Sequence, residues 1–254
     1  MALAGPLRGC PHVDYLGLKL NWNDYSKGQK ERILSADKVL SPTIHYARQF
    51  AAMGIRTYPS AASYSLLGDK AAQTLLFQMA GLPMPKTRLF TGRGRAGRIL
   101  EHFDYPLVAK VPAGSSRGLG VHLIRNDSEL ERYLASVSCA YIQEYLELDR
   151  DIRVVVMGGR PVFSYWRLSS PGDFRSNVAR GGSVSLDQVP HEALELSSLT
   201  CRLTGIDHAG LDICWTGGRA VLLEANIHFG TEGFEKAGLS YRELLCSMIG
   251  KGEI

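Results

Sequence analysis

Three polar side chains sit inside two apolar runs near the C-terminal end of the chain, and no other feature limits the fold as much. Ala209 to Trp215 and Ala220 to Ile227 flank Gly217-Gly218, which spells an antiparallel hairpin. Asp212 lies in the first run, and Glu224 and Asn226 lie in the second, two apart and so on one face of a strand. A carboxylate in an apolar strand is costly unless a cation or a donor meets it. The hairpin therefore belongs to a sheet with one apolar face and one charged face. Asp212 and Glu224 share that face if the connecting loop has an odd length, such as Gly217-Gly218-Arg219. A two-residue Gly-Gly turn puts them on opposite faces unless a bulge intervenes. Two carboxylates and an amide are oxygen donors of the kind that suit magnesium. The competing reading is a solvent-facing acid on a half-buried sheet.

Upstream, apolar spacing and turn residues mark alternating elements. Ser41-Pro42 opens a helix carrying Ile44, Ala47, Phe50 and Ala51, Gly54 closes it, and Ile55 to Tyr58 suits a short strand. A helix is predicted over 67–79, with Leu75, Leu76 and Met79 apolar and Gly81 as its stop. Two prolines in Gly81-Leu-Pro-Met-Pro force extended backbone into a strand at 87–90. Strands follow at 105–111, 121–124 and 141–146, with a helix opening at Ser128-x-x-Glu131, a capping box. Strands at 151–157 and 161–168 meet at Gly158-Gly159. A helix covers 190–204 with Leu196, Leu199 and Leu203 on one face, and a last helix covers 241–249. The order is α/β at the start and antiparallel α+β afterwards.

Lys110 is the second embedded charge. It shares a strand face with Val108 in an otherwise apolar run, and lysine is rarely buried without an anion. The loop 113–120, with Ser115, Ser116 and Gly118, can turn backbone N–H groups toward phosphate oxygens. On residue chemistry alone, an edge-strand lysine beside a β-turn stands equally well. Arg175, Asn177 and Arg180 lie in an aperiodic, glycine-ended segment suited to clamping an anion, or to solvated surface. Gly92-Arg-Gly-Arg-Ala-Gly97 matches a dinucleotide fingerprint, but no acid follows about 20 residues on. It reads as a surface linker, with a dehydrogenase as the minor alternative.

Composition removes other classes. The net charge of +4 lacks the aromatic-interleaved basic patch of a nucleic-acid binder, and no apolar run reaches membrane length. The N-terminus has no apolar signal core, so a cytoplasmic protein is expected. Five scattered cysteines without a Cys-x-x-Cys pair predict no zinc knuckle and no disulfide framework, with Cys201 and Cys214 as buried thiols.

Taken in order, the motifs from about Gly68 to the C-terminus resemble the RimK-like branch of the ATP-grasp ligases. They are Asp69-Lys70, Gly81-Leu-Pro-Met-Pro, Leu107-Val-Ala-Lys110, Gln143-Glu144-Tyr145 and Asp151-Ile-Arg153. Gly172 to Asn177, Arg180-Gly-Gly182, Gly210-Leu-Asp212, Glu224-Ala-Asn226 and Glu232 to Lys236 complete the set. The resemblance implies an ATP-grasp fold, two α+β subdomains clasping ATP, over 67–254. The lid would occupy about 86–140 and the C-terminal subdomain about 141–254, after a shortened preATP-grasp α/β region at 1–66. It implies that Lys70 and Lys110 bind ATP phosphates under the 113–120 loop, Glu144-Tyr145 reads adenine through its backbone, and Asp151 holds the ribose. Asp212, Glu224 and Asn226 would carry one or two Mg2+, with Mn2+ as a substitute. Arg175 and Asn177 would lie near the γ-phosphate, and Arg153 and Arg180 would hold substrate or acyl phosphate.

The implied reaction joins a small-molecule or peptide carboxylate to an amine through an acyl phosphate, in a homodimer or homotetramer. Glutathione-synthetase-like ligation, phosphotransfer and a nucleotide-binding regulatory module are the alternatives. The chain departs from the ribosomal-protein-modifying ligases after Asn226, where Ile227-His-Phe-Gly230 replaces small residues and a proline.

Overall fold

The computed structural model describes residues 1–3, 5–112, 120–169 and 182–254. The N-terminal part contains α1 (Lys27–Leu34), β1 (Val39–Leu40), α2 (Ile44–Ala52), β2 (Thr57–Tyr58) and α3 (Ala61–Ser65). β1 and β2 pair in parallel, and Leu3, Tyr25, Ile33, Val39 and Phe50 close a small core beside them. The cap of α2 is Thr43, whose side chain accepts from Tyr46 N–H, so the helix starts two residues after Ser41-Pro42. Ser41 itself adopts φ +48°, a left-handed conformation rare outside glycine.

Next come α4 (Lys70–Met79), β3 (Thr87–Thr91), α5 (Arg95–Leu100), β4 (Leu107–Lys110), β5 (Val121–Ile124), α6 (Asp127–Ser136) and β6 (Cys139–Glu144). The four strands form one sheet in the order β3-β6-β4-β5. Its apolar face packs on α5 and α6 through Phe90, Ile99, Leu107, Ala109, Leu130 and Ile142. Asn126 caps α6 by accepting from Glu129 N–H, and Glu129 accepts in return from Arg125 N–H. The cap is thus Asn126, two residues before the expected Ser128. The returning bond of Glu129 goes to Arg125 N–H and not to the cap's own N–H, so the expected capping box is not formed. Gly92 to Gly97 is no linker: Gly94 caps α5, and Arg95 donates to the carbonyls of Leu134, Val137 and Ser138 at the end of α6.

The rest contains β7 (Arg150–Met157), β8 (Arg160–Leu168), β9 (Ser183–Ser185), α7 (His191–Thr204), β10 (His208–Thr216), β11 (Arg219–Asn226), α8 (Glu232–Lys236) and α9 (Tyr241–Gly250). A five-stranded sheet runs β11-β10-β7-β8-β9. Ile152, Val154, Leu211, Ile213 and Leu222 pack with α7 residues such as Ala193 and Leu196 in the largest core cluster. Leu203, expected on the apolar stripe of α7, is exposed. Cys10 and Cys246 form a disulfide, against the expectation of no disulfide framework, because α9 folds back onto the N-terminal segment 236 positions earlier. Cys201 and Cys214 are buried free thiols. No helix among the described residues is long and apolar enough to cross a membrane.

Helix α4 is unusual in what it buries. Leu75 and Met79 are 57% and 77% exposed, whereas Lys70, Gln73, Thr74 and Phe77 face inward. Phe77 joins the main apolar core, but the other inward side chains have polar partners. The Gln73 amide donates to Ala225 O at 2.8 Å and accepts from Ala225 N at 3.0 Å, closing the backbone of edge strand β11. Thr74 and Tyr141 share a hydroxyl bond of 2.8 Å, and Lys70 N donates to Pro112 O just past β4. The helix clamps one sheet to the other, which apolar patterning cannot announce.

Candidate functional site

Register places the charged residues of the five-stranded sheet in one row. Asp151 lies opposite Arg167, Arg153 opposite Asp212, and Asp212 opposite Glu224, while Gly210 pairs with Asn226. The side chains alternate, so these groups leave the apolar face to Ile152, Leu211 and Ile213.

The turn at Gly217-Gly218 has two residues, which by itself would send Glu224 into the core. A bulge corrects it: Ile213 pairs with Leu222 but Asp212 pairs with Glu224, leaving Leu223 as the extra residue. Leu222 keeps its place in the apolar core, and Glu224 turns to the charged face. Both glycines of the turn have positive φ, 57° and 73°, as a primed hairpin turn requires.

The row is a network of buried ion pairs. Arg153 Nε donates to Asp212 Oδ1 at 2.6 Å. Arg167 donates to both oxygens of Asp151, at 2.7 and 2.6 Å, and its terminal nitrogen lies 3.0 Å from Asp212 Oδ2. Asn226 Nδ2 donates to the same Asp212 oxygen at 3.0 Å. Burial disfavours the Asp212 charge, but Arg153 and Arg167 outweigh it and hold the carboxyl below its ordinary range. Burial likewise opposes the charge of Arg167, and Asp151 and Asp212 overcome it and raise its pKa. Gly210 makes room for this arrangement, since a Cβ there would stand 2.8 Å from Arg153 Cδ and 2.9 Å from Phe229 Cβ.

Facing this row from the other sheet is Lys110, whose ammonium lies 5.6 Å from the Tyr141 ring on the neighbouring strand. Burial lowers its pKa, Lys70 adds to that, and Glu224 and Asp212 oppose it. Lys70 projects from the first turn of α4, one turn before Gln73, and its Nζ lies 3.7 Å from Glu224 Oε1. A small cavity is lined by Lys70, Lys110, Tyr141 and Glu224 together. Two cations and an acid from three separate elements thus converge where the sheets meet.

Glu144 ends β6; its backbone N–H donates to Lys86 O at 2.9 Å and its carboxylate accepts from Lys86 N–H at 2.7 Å. Tyr145 follows it. Asp151, expected to hold a ribose, has both oxygens engaged by Arg167. Ser115, Ser116, Gly118, Arg175, Asn177 and Arg180 lie outside the described residues. Arg167 was not singled out from the sequence. The logic applied to Lys110 reaches it, because it is a lone charge in the run Val162 to Leu168.

Among the described residues no three His, Cys, Asp or Glu side chains form a ready metal cage. Magnesium needs less, since one or two carboxylates suffice when water and phosphate complete its shell. Glu224, partly exposed beside Lys70, and the Asn226 amide meet that requirement, and Asp212 backs them while committed to two arginines.

A family model described as the RimK-like ATP-grasp domain matches residues 68–243. A "Probable alpha-L-glutamate ligase" from a Marinomonas strain is 29% identical over 75% of this chain and 65% of its own length. A protein of the same description from Parasynechococcus marenigrum is 31% identical over 82% of this chain and 47% of its own length. The chain therefore spans about half to two thirds of these relatives. Among solved structures, a RimK domain ATP-grasp protein from Sphaerobacter thermophilus superposes with TM-score 0.68 at 17% identity, covering 97% of each chain. D-alanine–D-alanine ligase from Bacillus anthracis gives TM-score 0.67 at 17% identity over 94% of this chain and 86% of its own. The fold is thus that of the ATP-grasp proteins, as the motif order implied.

Proposed function

Because the chain belongs to the RimK-like ATP-grasp family, we propose that it is an ATP- and Mg2+-dependent ligase that joins a carboxylate to an amine. The observation that carries the reading is the convergence of Lys70, Lys110 and Glu224 on one cavity between the two sheets. In this reading residues 67–254 are the nucleotide-clasping unit and residues 1–66 a shortened preATP-grasp wall.

Lys70 and Lys110 bind phosphate oxygens and offset their charge, a task for which buried ammonium groups are effective because little water screens them. Glu224 and Asn226 hold magnesium, with Asp212 behind them. When bound, that ion neutralises charge on the transferring phosphoryl group. The arginines on Asp212 and Asp151 fix those carboxylates in place, so the site needs little reorganisation during reaction. A substrate carboxylate oxygen attacks the γ-phosphorus, forming an acyl phosphate as the bond to ADP breaks. The amine then attacks the carbonyl carbon, phosphate leaves with the C–O electron pair, and the amine proton passes to solvent. Ser115, Ser116 and Gly118 are proposed to fold over the phosphates, Arg175 and Asn177 to act near the γ-phosphate, and Arg180 to hold substrate or acyl phosphate. Such ATP-consuming chemistry fits the cytoplasm.

The test is a thermal-shift titration with ATP or ADP, with and without Mg2+, beside NAD and GTP. A ligand at 100 times its Kd adds about 2.7 kcal/mol to a state that alone binds it. Magnesium-dependent stabilisation by adenine nucleotides, followed by ADP release with carboxylate–amine pairs, is expected. Stabilisation by NAD alone would put the dehydrogenase reading in its place.

A further inference from the structure

A second cavity, of about 430 Å3, opens between the N-terminal segment and the end of the five-stranded sheet. Its size is that of a small-molecule site, for which roughly 300–1,000 Å3 is usual. Ile44 of α2, Tyr58 of β2, His208 of β10 and Phe229 and Tyr241 beyond β11 form its walls. Among the described residues no Lys, Arg, Asp or Glu lines it; its titratable groups there are tyrosines and the histidines His208 and His228.

The polar atoms of the aromatic wall are spent on one another. His208 Nδ1 lies 2.8 Å from the Tyr58 hydroxyl, and Nε2 lies 3.3 Å from the Tyr241 hydroxyl. Burial, with His228 adding, pushes His208 down to about 4, so this ring is neutral at pH 7. The Phe229 ring lies 5.5 Å from His208 and 5.8 Å from Tyr241, the latter edge-on at 90°. What these aromatic residues leave for a ligand is ring surface, with Ser41, Thr43, His228 and Thr231 as the polar side chains elsewhere on the lining.

The cavity is also within reach of the charged row. His208, Gly210 and Asp212 share one strand face, and four residues of strand span about 13 Å. Arg153 and Phe229 both crowd the intervening Gly210. A substrate with its reacting group beside Glu224 and Asn226 would place a side chain here. A carboxylate side chain would lose its water and find no lysine or arginine among the described lining residues, whereas an aromatic ring would find edge-to-face partners.

We propose that this cavity takes an uncharged aromatic group of the substrate, so that the ligation selects an aromatic amino-acid residue over an acidic one. The proposal rests on the ligase reading above and departs from the glutamate named for the relatives. Calorimetric titrations of the full chain, saturated with ADP and Mg2+, test it with four probes. Phenylalaninamide and glutamic acid α-amide offer a free amine, and N-acetylphenylalanine and N-acetylglutamate offer a free carboxylate. At least one phenylalanine probe should bind tenfold or more tighter than its glutamate counterpart, and the arm that binds tells which substrate carries the ring. Ile44→Arg and Tyr241→Leu should each weaken that probe at least tenfold with ADP affinity unchanged, which also checks that both variants fold. Glutamate probes that bind as tightly, or no aromatic binding by a chain that binds ADP, would overturn this proposal alone. Absence of ADP binding would overturn it together with the ligase reading.

Discussion

Replacing Asp212 by asparagine tests whether the charged row is built as described. In the structure the charges of Asp151 and Asp212 balance those of Arg153 and Arg167, all four side chains being buried. Asp212→Asn leaves that cluster with one net positive charge. It also confronts two guanidinium groups and the Asn226 amide with a side chain that has only one acceptor oxygen. Removing one partner of a buried pair costs about 3–5 kcal/mol, and the oxygen that asparagine retains favours the lower end, about 3 kcal/mol. For a chain of this length about 2 °C is lost per kcal/mol, so the melting temperature should fall by about 6 °C.

The assay is calorimetric or fluorescence melting in metal-free buffer at neutral pH, which separates this effect from any metal role. Glu224→Gln is the control. Glu224 is partly exposed and 3.7 Å from Lys70, so its loss should cost less than about 1 kcal/mol once solvent screening is allowed for. The two variants should differ in stability yet both lose magnesium-dependent turnover. Acid dependence supplies a second check. Arg153 and Arg167 depress the Asp212 pKa despite its burial, so its contribution is complete above the unfolded value of about 3.9. It is lost as pH falls through the lower folded value. The variant should therefore lose less stability than the parent over that acid range. A melting temperature within about 1 °C of the parent would refute the account of the network.

Two further outcomes follow from the same geometry. Lys110→Ala should weaken ADP binding at least tenfold, about 1.4 kcal/mol, with little change in fold. Because burial lowers the Lys110 pKa, ADP binding at alkaline pH should also take up protons in calorimetry run in two buffers, and an absence of uptake would place the phosphates elsewhere. Gly210→Ala inserts a Cβ 2.8 Å from Arg153 Cδ and 2.9 Å from Phe229 Cβ. It should destabilise the chain by about 1–3 kcal/mol in urea unfolding, and an unchanged midpoint would show that both neighbours yield freely.

The sequence by itself determined the element order and the charged residues that had to find partners. Lone polar or charged groups in apolar strands named Lys110, Asp212, Glu224 and Asn226, because burying them without partners is costly whatever the fold. Paired glycines marked both hairpins of the large sheet, and a helix with a glycine stop was legible at 67–79, although it begins only at Lys70, where Asp69 caps it. Which partners those charges found was not legible. Arg167 meets Asp151 and Asp212 only because three strands align in one register, and register couples residues 16 and 45 positions apart.

The structure also chose between the two ways of joining Asp212 to Glu224. A bulge at Leu223 is favoured where β11 is an edge strand, held from outside by Leu222 N–H on Pro83 and by the Gln73 amide on Ala225. Such contacts explain why α4 exposes Leu75 and buries Lys70: beside the apolar contact of Phe77, its partners are the Ala225 backbone, the Tyr141 hydroxyl and Glu224, which hydrophobic periodicity does not register. The disulfide between Cys10 and Cys246 and the aromatic cavity around His208 are likewise products of distant segments meeting. Local chemistry dictates which groups must be satisfied; only packing over long sequence separations decides by whom.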